Sequence, residues 1–308
     1  MRFHTESRRD AYDAIVVGSG VGGLTTAGLL ARAGRSVLVI ERHDRVGGYA
    51  HAFRRGRYHF DSAVHLIGGC EPVTFEGGGL VHNLLTRLGV RDQCEFTRID
   101  PVYTAVYPGM LVHAAGDLDE FIDSLADEFP SEAKGLREFF QECLSIRDET
   151  RRANELNGPL GAIARPERFP TLMRYRRATL SQVLDDHIGS VELRAAIGTL
   201  WPYLGLPPSR VSFLYFATML MSYLADGAYY CRGTFQKFAD ALASAVTGAG
   251  GEILLRSPVR RIRVDGGHVT GVVLENGQRI AAPQVVSNAD LRQTVEELVG
   301  TEAFPSRY

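Results

Sequence analysis

Short, wholly apolar runs and one amphipathic stretch follow each other in a fixed order near the start of the chain. Ala14 to Val17 and Val37 to Ile40 are unbroken apolar tetrads, the pattern of strands buried on both faces. Between them Leu24, Ala27, Leu30 and Ala31 share one helical face, and Gly34 ends the helix. Residues 13–41 therefore predict strand, glycine turn, helix and second strand, closing on Glu41.

The middle of the chain changes period. Asp117 to Phe129 places Leu118, Phe121, Ile122, Leu125 and Phe129 on one face, with Asp117 as N-cap, Glu120 at N3 and Pro130 as the stop. Ser131 opens a long charged helix carrying Leu136, Phe139, Phe140 and Leu144, Asn157-Gly158-Pro159 marks a loop, and Thr179 with Gln182 caps another helix. Val211 to Leu224 is apolar but shorter than the roughly eighteen residues that span a bilayer. It predicts a buried core helix, with a membrane-contact or substrate-lining helix as the second reading.

The pattern then returns to strands. Phe235 to Val246 forms an amphipathic helix leading through Gly250-Gly251 to a strand at Ile253 to Leu255. Val259 to Val264, His268 to Leu274 and Arg279 to Ala282 predict a meander joined by turns at Asp265-Gly266-Gly267 and Asn276-Gly277. The apolar pair Val285-Val286 returns the chain to its first sheet. The expected fold is α/β: a Rossmann-like nucleotide-binding domain in two parts, residues 1–108 and 226–308, around an inserted, mainly helical substrate domain at 109–225.

The chemistry lies in the glycines. Gly18-Ser19-Gly20-Val21-Gly22-Gly23 fits G-x-G-x-x-G between a strand and a helix. The first glycine allows a tight turn, the second admits backbone close to a pyrophosphate, and the third lets helix pack on strand. Phosphate belongs at the helix N-terminus, where free N–H groups and the dipole favour an anion. Glu41 closes the second strand where a carboxylate accepts both ribose hydroxyls and repels a 2′-phosphate, so the pattern favours FAD or NAD over NADP. Arg42 is a candidate support for the pyrophosphate, and Gly47-Gly48 lets the chain pass close to a second stretch of cofactor.

From here the residues carry a likeness. Gly47, Gly48 and His51, then Phe60, Asp61, His65, Ile67 and Gly68, resemble the FAD-dependent phytoene desaturase, carotenoid isomerase and retinol saturase family. The likeness continues in Asp100-Pro101-Val102-Tyr103, Tyr229 to Gly233, Gly250 to Ile253, Val259 with Ile262, and Val285 to Asp290. It implies FAD as cofactor, an oxidoreductase acting on carbon–carbon bonds of an apolar polyene or isoprenoid, and an apolar channel through the inserted region. It also implies backbone contact of Val259 with the adenine, and it leads the segment bearing Asp61 and His65 towards the flavin ring. Those two are the candidate catalytic groups; bracing a turn is the alternative for Asp61, and a hydrogen-bonded core position for His65. Relatives continue past Asp290 to a last strand and a glycine-bearing helix, so the chain is expected to be a C-terminally truncated relative lacking one wall of the flavin site. Alternatives stay open: an amine-oxidase-like flavoenzyme, a GDP-dissociation-inhibitor-like binder of prenylated partners, or an inactive truncated relative.

Composition narrows the partners. With 308 residues, 45% apolar and 23% charged, the chain has the balance of a soluble globular protein, and a net charge of −2 offers no field for nucleic acid. Cys70, Cys94, Cys143 and Cys231 lie far apart with no metal-ligand spacing, which predicts reduced structural thiols and no metal. The N-terminal residues read as a short polar tail with no signal sequence. The expected setting is the cytoplasm, with peripheral membrane contact to reach an apolar substrate.

Overall fold

A computed structural model describes residues 6–72, 78–155 and 165–304. The chain divides into two compact units, one of Met1–Leu66, Pro72–Thr97 and Tyr230–Tyr308, the other of Ile67–Glu71 and Arg98–Tyr229.

The first unit contains β1 (Ala14–Val17), α1 (Val21–Arg32), β2 (Val37–Ile40), β3 (Ala52–Arg55), β4 (Tyr58–Asp61), α2 (Leu80–Arg87), α3 (Phe235–Gly248), β5 (Glu252–Leu254), β6 (Val259–Asp265), β7 (His268–Leu274), β8 (Arg279–Ala281) and β9 (Val285–Ser287). Its main sheet is parallel in the order β9-β1-β2-β5, with Ile15 opposite both Val285 and Leu38. Every residue of β1 and β2 is buried, which is why both read as unbroken apolar runs rather than as alternation. The expected return of Val285-Val286 to the first sheet is the pairing of β9 with β1.

The layering follows from which faces are apolar. Strands β6, β7 and β8 form the antiparallel meander. Its Ile262, Val272, Leu274 and Ile280 pack with Ile15, Val17, Leu38, Ile40 and Leu254 of the sheet in one buried cluster. Helices α1 and α3 pack on each other and on β2 and β5. The fold is Rossmann-like, of the kind in which a meander and a helical layer enclose a parallel sheet.

The second unit is built around helices Leu118–Glu128, Ala133–Glu155, Pro170–Tyr175, Leu180–His187, Val191–Gly198 and Phe213–Leu224. Phe121, Phe139, Phe140, Phe213 and Phe216 fill its core. The caps fall where the sequence put them: the Asp117 side chain accepts from the Glu120 N–H at 3.0 Å, and Thr179 with Gln182 forms a capping box. The long helix begins at Ala133 rather than Ser131, because Pro130–Glu132 takes a tight 3₁₀ turn first. The buried Glu149 carboxylate accepts from the N–H groups of Thr171 and Leu172 and so caps the start of Pro170–Tyr175.

Two details refine the sequence reading. A hairpin of Tyr103–Tyr107 with Met110–Ala114 lies among these helices, so the segment just after Gly109 is a strand. In Phe213–Leu224 the residues Phe213, Phe216, Ala217, Leu220, Met221 and Leu224 are all buried, which is the packing of a core helix. Among the described residues no helix is long and apolar enough to cross a membrane. The Asn157-Gly158-Pro159 loop lies outside the described residues.

Candidate cofactor site

The sheet order makes a crevice. Strand β1 has β2 on one side and β9 on the other, and in an open parallel sheet the gap beyond the C-terminal ends at such a reversal is where a ligand fits. A cleft of about 480 Å³ lies there, lined by Gly18, Gly20, Glu41, Arg42, Gly48 and Val259 among others. These are six of the residues that the sequence nominated. Ser19, Gly23 and Gly47 are buried beside the lining, and Gly22 is exposed on the first turn of α1.

Steric limits explain the glycines. Gly18 turns at φ +94°, and a Cβ on Gly23 would stand 2.1 Å from the Gly18 carbonyl oxygen, so α1 can close on the turn only if residue 23 has no side chain. Gly48 sits at φ +55°, and a Cβ there would meet the Gly20 Cα at 3.0 Å. The Gly47 N–H donates to the Ser19 carbonyl at 2.9 Å. The two glycine segments therefore pack backbone to backbone, a role for Gly47-Gly48 that their spacing in the sequence did not show.

Electrostatics at the loop favour an anion. Gly20 caps α1 without a side-chain hydrogen bond, and the first turn carries no acidic residue. Its opening N–H groups have no intrahelical partner and suit a pyrophosphate.

Glu41 is 8% exposed, an expensive place for a carboxylate unless it is bonded. Its Oε2 accepts from the Ser19 N–H at 2.8 Å and from Ser19 Oγ at 2.7 Å, while Oε1 accepts from the His43 N–H at 2.8 Å. The end of β2 is thereby tied to the turn after β1, with the carboxylate on the wall of the cleft.

Asn288 joins the site without having been given a role from sequence. It follows β9, its N–H donates to the Val17 carbonyl at 2.8 Å, and it lines the cleft. Its amide lies 2.7 Å from where a Cβ on Gly20 would stand and 2.8 Å from one on Gly22. The signal was present in Ser287-Asn288-Ala289-Asp290, but only the strand order shows that this segment meets the glycine loop.

The catalytic candidates have separate partners. Asp61 Oδ1 accepts from the Phe235 N–H and Oδ2 from the Tyr230 hydroxyl, both at 2.8 Å. Thr234, the N-cap residue of α3, makes no side-chain cap, so Asp61 caps that helix from a distant strand. Burial, reinforced by the bond to Asp61, pushes the Tyr230 phenol up to about 12. This arrangement matches the bracing alternative for Asp61. His65 is exposed, with Nδ1 2.9 Å from the Ala63 carbonyl, a contact that favours the proton on Nδ1.

The four cysteines are buried, and no group of metal-ligating side chains occurs among the described residues.

The profile of the flavin-containing amine oxidoreductases matches residues 21–300. The chain belongs to that family. It is 29% identical to the all-trans-retinol 13,14-reductase of Danio rerio over 303 residues, 93% of this chain and 49% of the relative. It is also 29% identical to prolycopene isomerase 1, chloroplastic, of an Oncidium hybrid cultivar over 309 residues, 96% of this chain and 51% of the relative. The chain spans about half the length of the curated relatives it matches. Among solved structures the PF1083 protein of Pyrococcus furiosus superposes with a TM-score of 0.65 at 21% identity, covering 96% of this chain and 63% of that one.

The cofactor is a flavin, and the cleft fits FAD. The glycine loop, closed against Gly48 and Asn288, lines the cleft without side chains at Gly18 and Gly20, α1 offers N–H groups with no side-chain cap, and the acid ending β2 stands on the wall.

Proposed function

We propose that this chain carries the nucleotide-holding part of an FAD-dependent oxidoreductase acting on carbon–carbon bonds of an apolar polyene or isoprenoid, by desaturation, saturation or isomerisation. The observation that carries the reading is the match of nearly the whole chain to relatives named for reduction of retinol and isomerisation of prolycopene.

When bound, FAD supplies the hydride chemistry. The chain's own residues then have assigned tasks. The first turn of α1 holds the pyrophosphate, Glu41 accepts from the ribose hydroxyls, the backbone of Val259 meets the adenine, and Arg42 adds positive charge at the cleft. Asn288 keeps the glycine loop in shape from the β9 side.

His65 is the proposed acid–base group. Desaturation removes a proton from the carbon next to the one that loses hydride, and the His65 imidazole accepts it; saturation returns it. Asp61 acts through position, by holding the start of α3 and Tyr230. The helical unit is the proposed substrate domain, and an apolar substrate of this kind calls for peripheral contact between a cytoplasmic protein and a membrane.

The experiment is an anaerobic single-turnover assay of the FAD-loaded chain, with the flavin oxidised and with it first reduced by dithionite, against all-trans-retinol, a cis-carotene and a primary amine. Conversion of a polyene supports the reading. Reduction of the flavin by the amine alone replaces it with amine oxidation.

A further inference from the structure

The hairpin of β3 and β4 buries one face and leaves the other to solvent. Its pairs run Ala52 with Asp61, Phe53 with Phe60, Arg54 with His59 and Arg55 with Tyr58. Ala52 is buried and Asp61 caps α3, so the face they share packs on the first unit. Strand alternation puts Phe53, Phe60, Tyr58 and Arg55 together on the opposite face.

Three large rings on that face are open to water: Phe53 is 37%, Phe60 45% and Tyr58 58% exposed. The two phenylalanine rings stack at 5.4 Å, the Arg55 guanidinium lies 5.8 Å from the Phe53 ring, and that of Arg57 lies 5.1 Å from the Tyr58 ring. Charge along the segment has one sign. From Ala52 to Phe60 there are three arginines, one histidine and no acidic residue, in a chain whose net charge is −2.

We propose that this outward face is a docking site for an anionic lipid surface. Aromatic rings settle at the level of the headgroups, where one side is apolar and the other wet, while arginine guanidinium groups pair with lipid phosphate. Arg55 shares the ring face, and Arg54 and Arg57 flank the Gly56 turn at the tip, where the Arg54 Nε donates to the Gly56 carbonyl, so ring insertion and charge pairing act at one end of the hairpin. A surface of this composition complements an anionic bilayer in both respects. The inference deepens the peripheral contact proposed above but stands on the hairpin alone, so flavin binding and lipid binding are separate readouts.

The test is flotation of the FAD-loaded chain with phosphatidylcholine vesicles, with and without phosphatidylglycerol, each sample also scored for bound flavin. The chain is expected to float only with the anionic vesicles and to be released by high salt. R54E/R55E/R57E is expected to weaken binding roughly a hundredfold, and F53S/F60S to weaken it with the charge unchanged. Circular dichroism and flavin content, the same in both variants as in the parent chain, keep the comparison free of unfolding. Equal flotation with neutral and anionic vesicles, flotation that the arginine substitutions leave unchanged, or no flotation at all overturns the proposal. So does a dimer in gel filtration that F53S/F60S converts to monomer without any lipid binding, since that face would then join two copies of the chain.

Discussion

Glu41 and Ser19 are joined twice: Oε2 of the carboxylate accepts the serine N–H at 2.8 Å and its hydroxyl at 2.7 Å. One acid thus shapes the glycine turn and lines the cleft, so the proposal that it holds the cofactor makes stability and affinity respond together to its substitution. Replacing it with alanine leaves two donors of a fully buried serine without a partner. E41A is expected to lose about 2–4 kcal/mol of stability in urea unfolding without FAD, and E41Q, which keeps one acceptor oxygen, clearly less.

The contact between Gly48 and Gly20 separates backbone strain from crowding. Gly48 and Gly56 have φ of +55° and +57°, but a Cβ on Gly48 meets Gly20 at 3.0 Å while one on Gly56 meets nothing within 4 Å. G56A is expected to cost only the left-handed penalty of about 1–2 kcal/mol. G48A is expected to cost more and to weaken FAD binding, which G56A leaves unchanged. Thermal unfolding and a flavin titration of both variants check this.

Much of this was legible beforehand, and the reason is physical. A doubly buried strand, a glycine turn and a terminal acid each leave a local mark, so β1, α1, β2 and Glu41 were readable from 29 consecutive residues, 13–41. The caps at Asp117 and Thr179 were readable for the same reason, since donor and acceptor are three residues apart. Asn288 was not, because its meeting with Gly20 depends on β9 lying beside β1 across more than two hundred residues of chain. The bracing by Asp61 is equally non-local: its partners Tyr230 and Phe235 arrive from the far side of the second unit's sequence. The strand at Met110–Ala114 was missed because five residues carry too little period to separate it from the helices that follow.

Asp61 and His65 are expected to respond differently to substitution. D61A removes the acceptor for the Phe235 N–H and the Tyr230 hydroxyl, and is expected to cost about 1–3 kcal/mol in urea unfolding. H65Q touches no cap, so it is expected to leave unfolding within about 0.5 kcal/mol of the parent while lowering turnover. Loss of stability in H65Q with unchanged turnover would assign His65 to structure.

Alkaline pH is expected to loosen the first unit. Burial, then the bond to Asp61, raises Tyr230 from 10.0 to about 12, and burial, then the bond to Glu252, does the same for Tyr12. A raised folded-state value means the stabilisation is complete below pH 10 and is lost as pH climbs through about 12. In D61N the Tyr230 value is expected to fall part of the way back, because burial remains while the bonded charge is gone. Ultraviolet titration of tyrosine ionisation, alongside unfolding at each pH, reads both effects.

The most direct measurement is a titration of the purified chain with FAD, followed by quenching of flavin fluorescence, for the parent and for E41Q at a temperature where both are folded. The parent is expected to bind FAD at a single site, with E41Q weaker by roughly ten- to a hundredfold. A parent chain that leaves FAD fluorescence unchanged, or an E41Q variant with the parent's affinity, would contradict the placement of the cofactor along Gly18, Gly20 and Glu41.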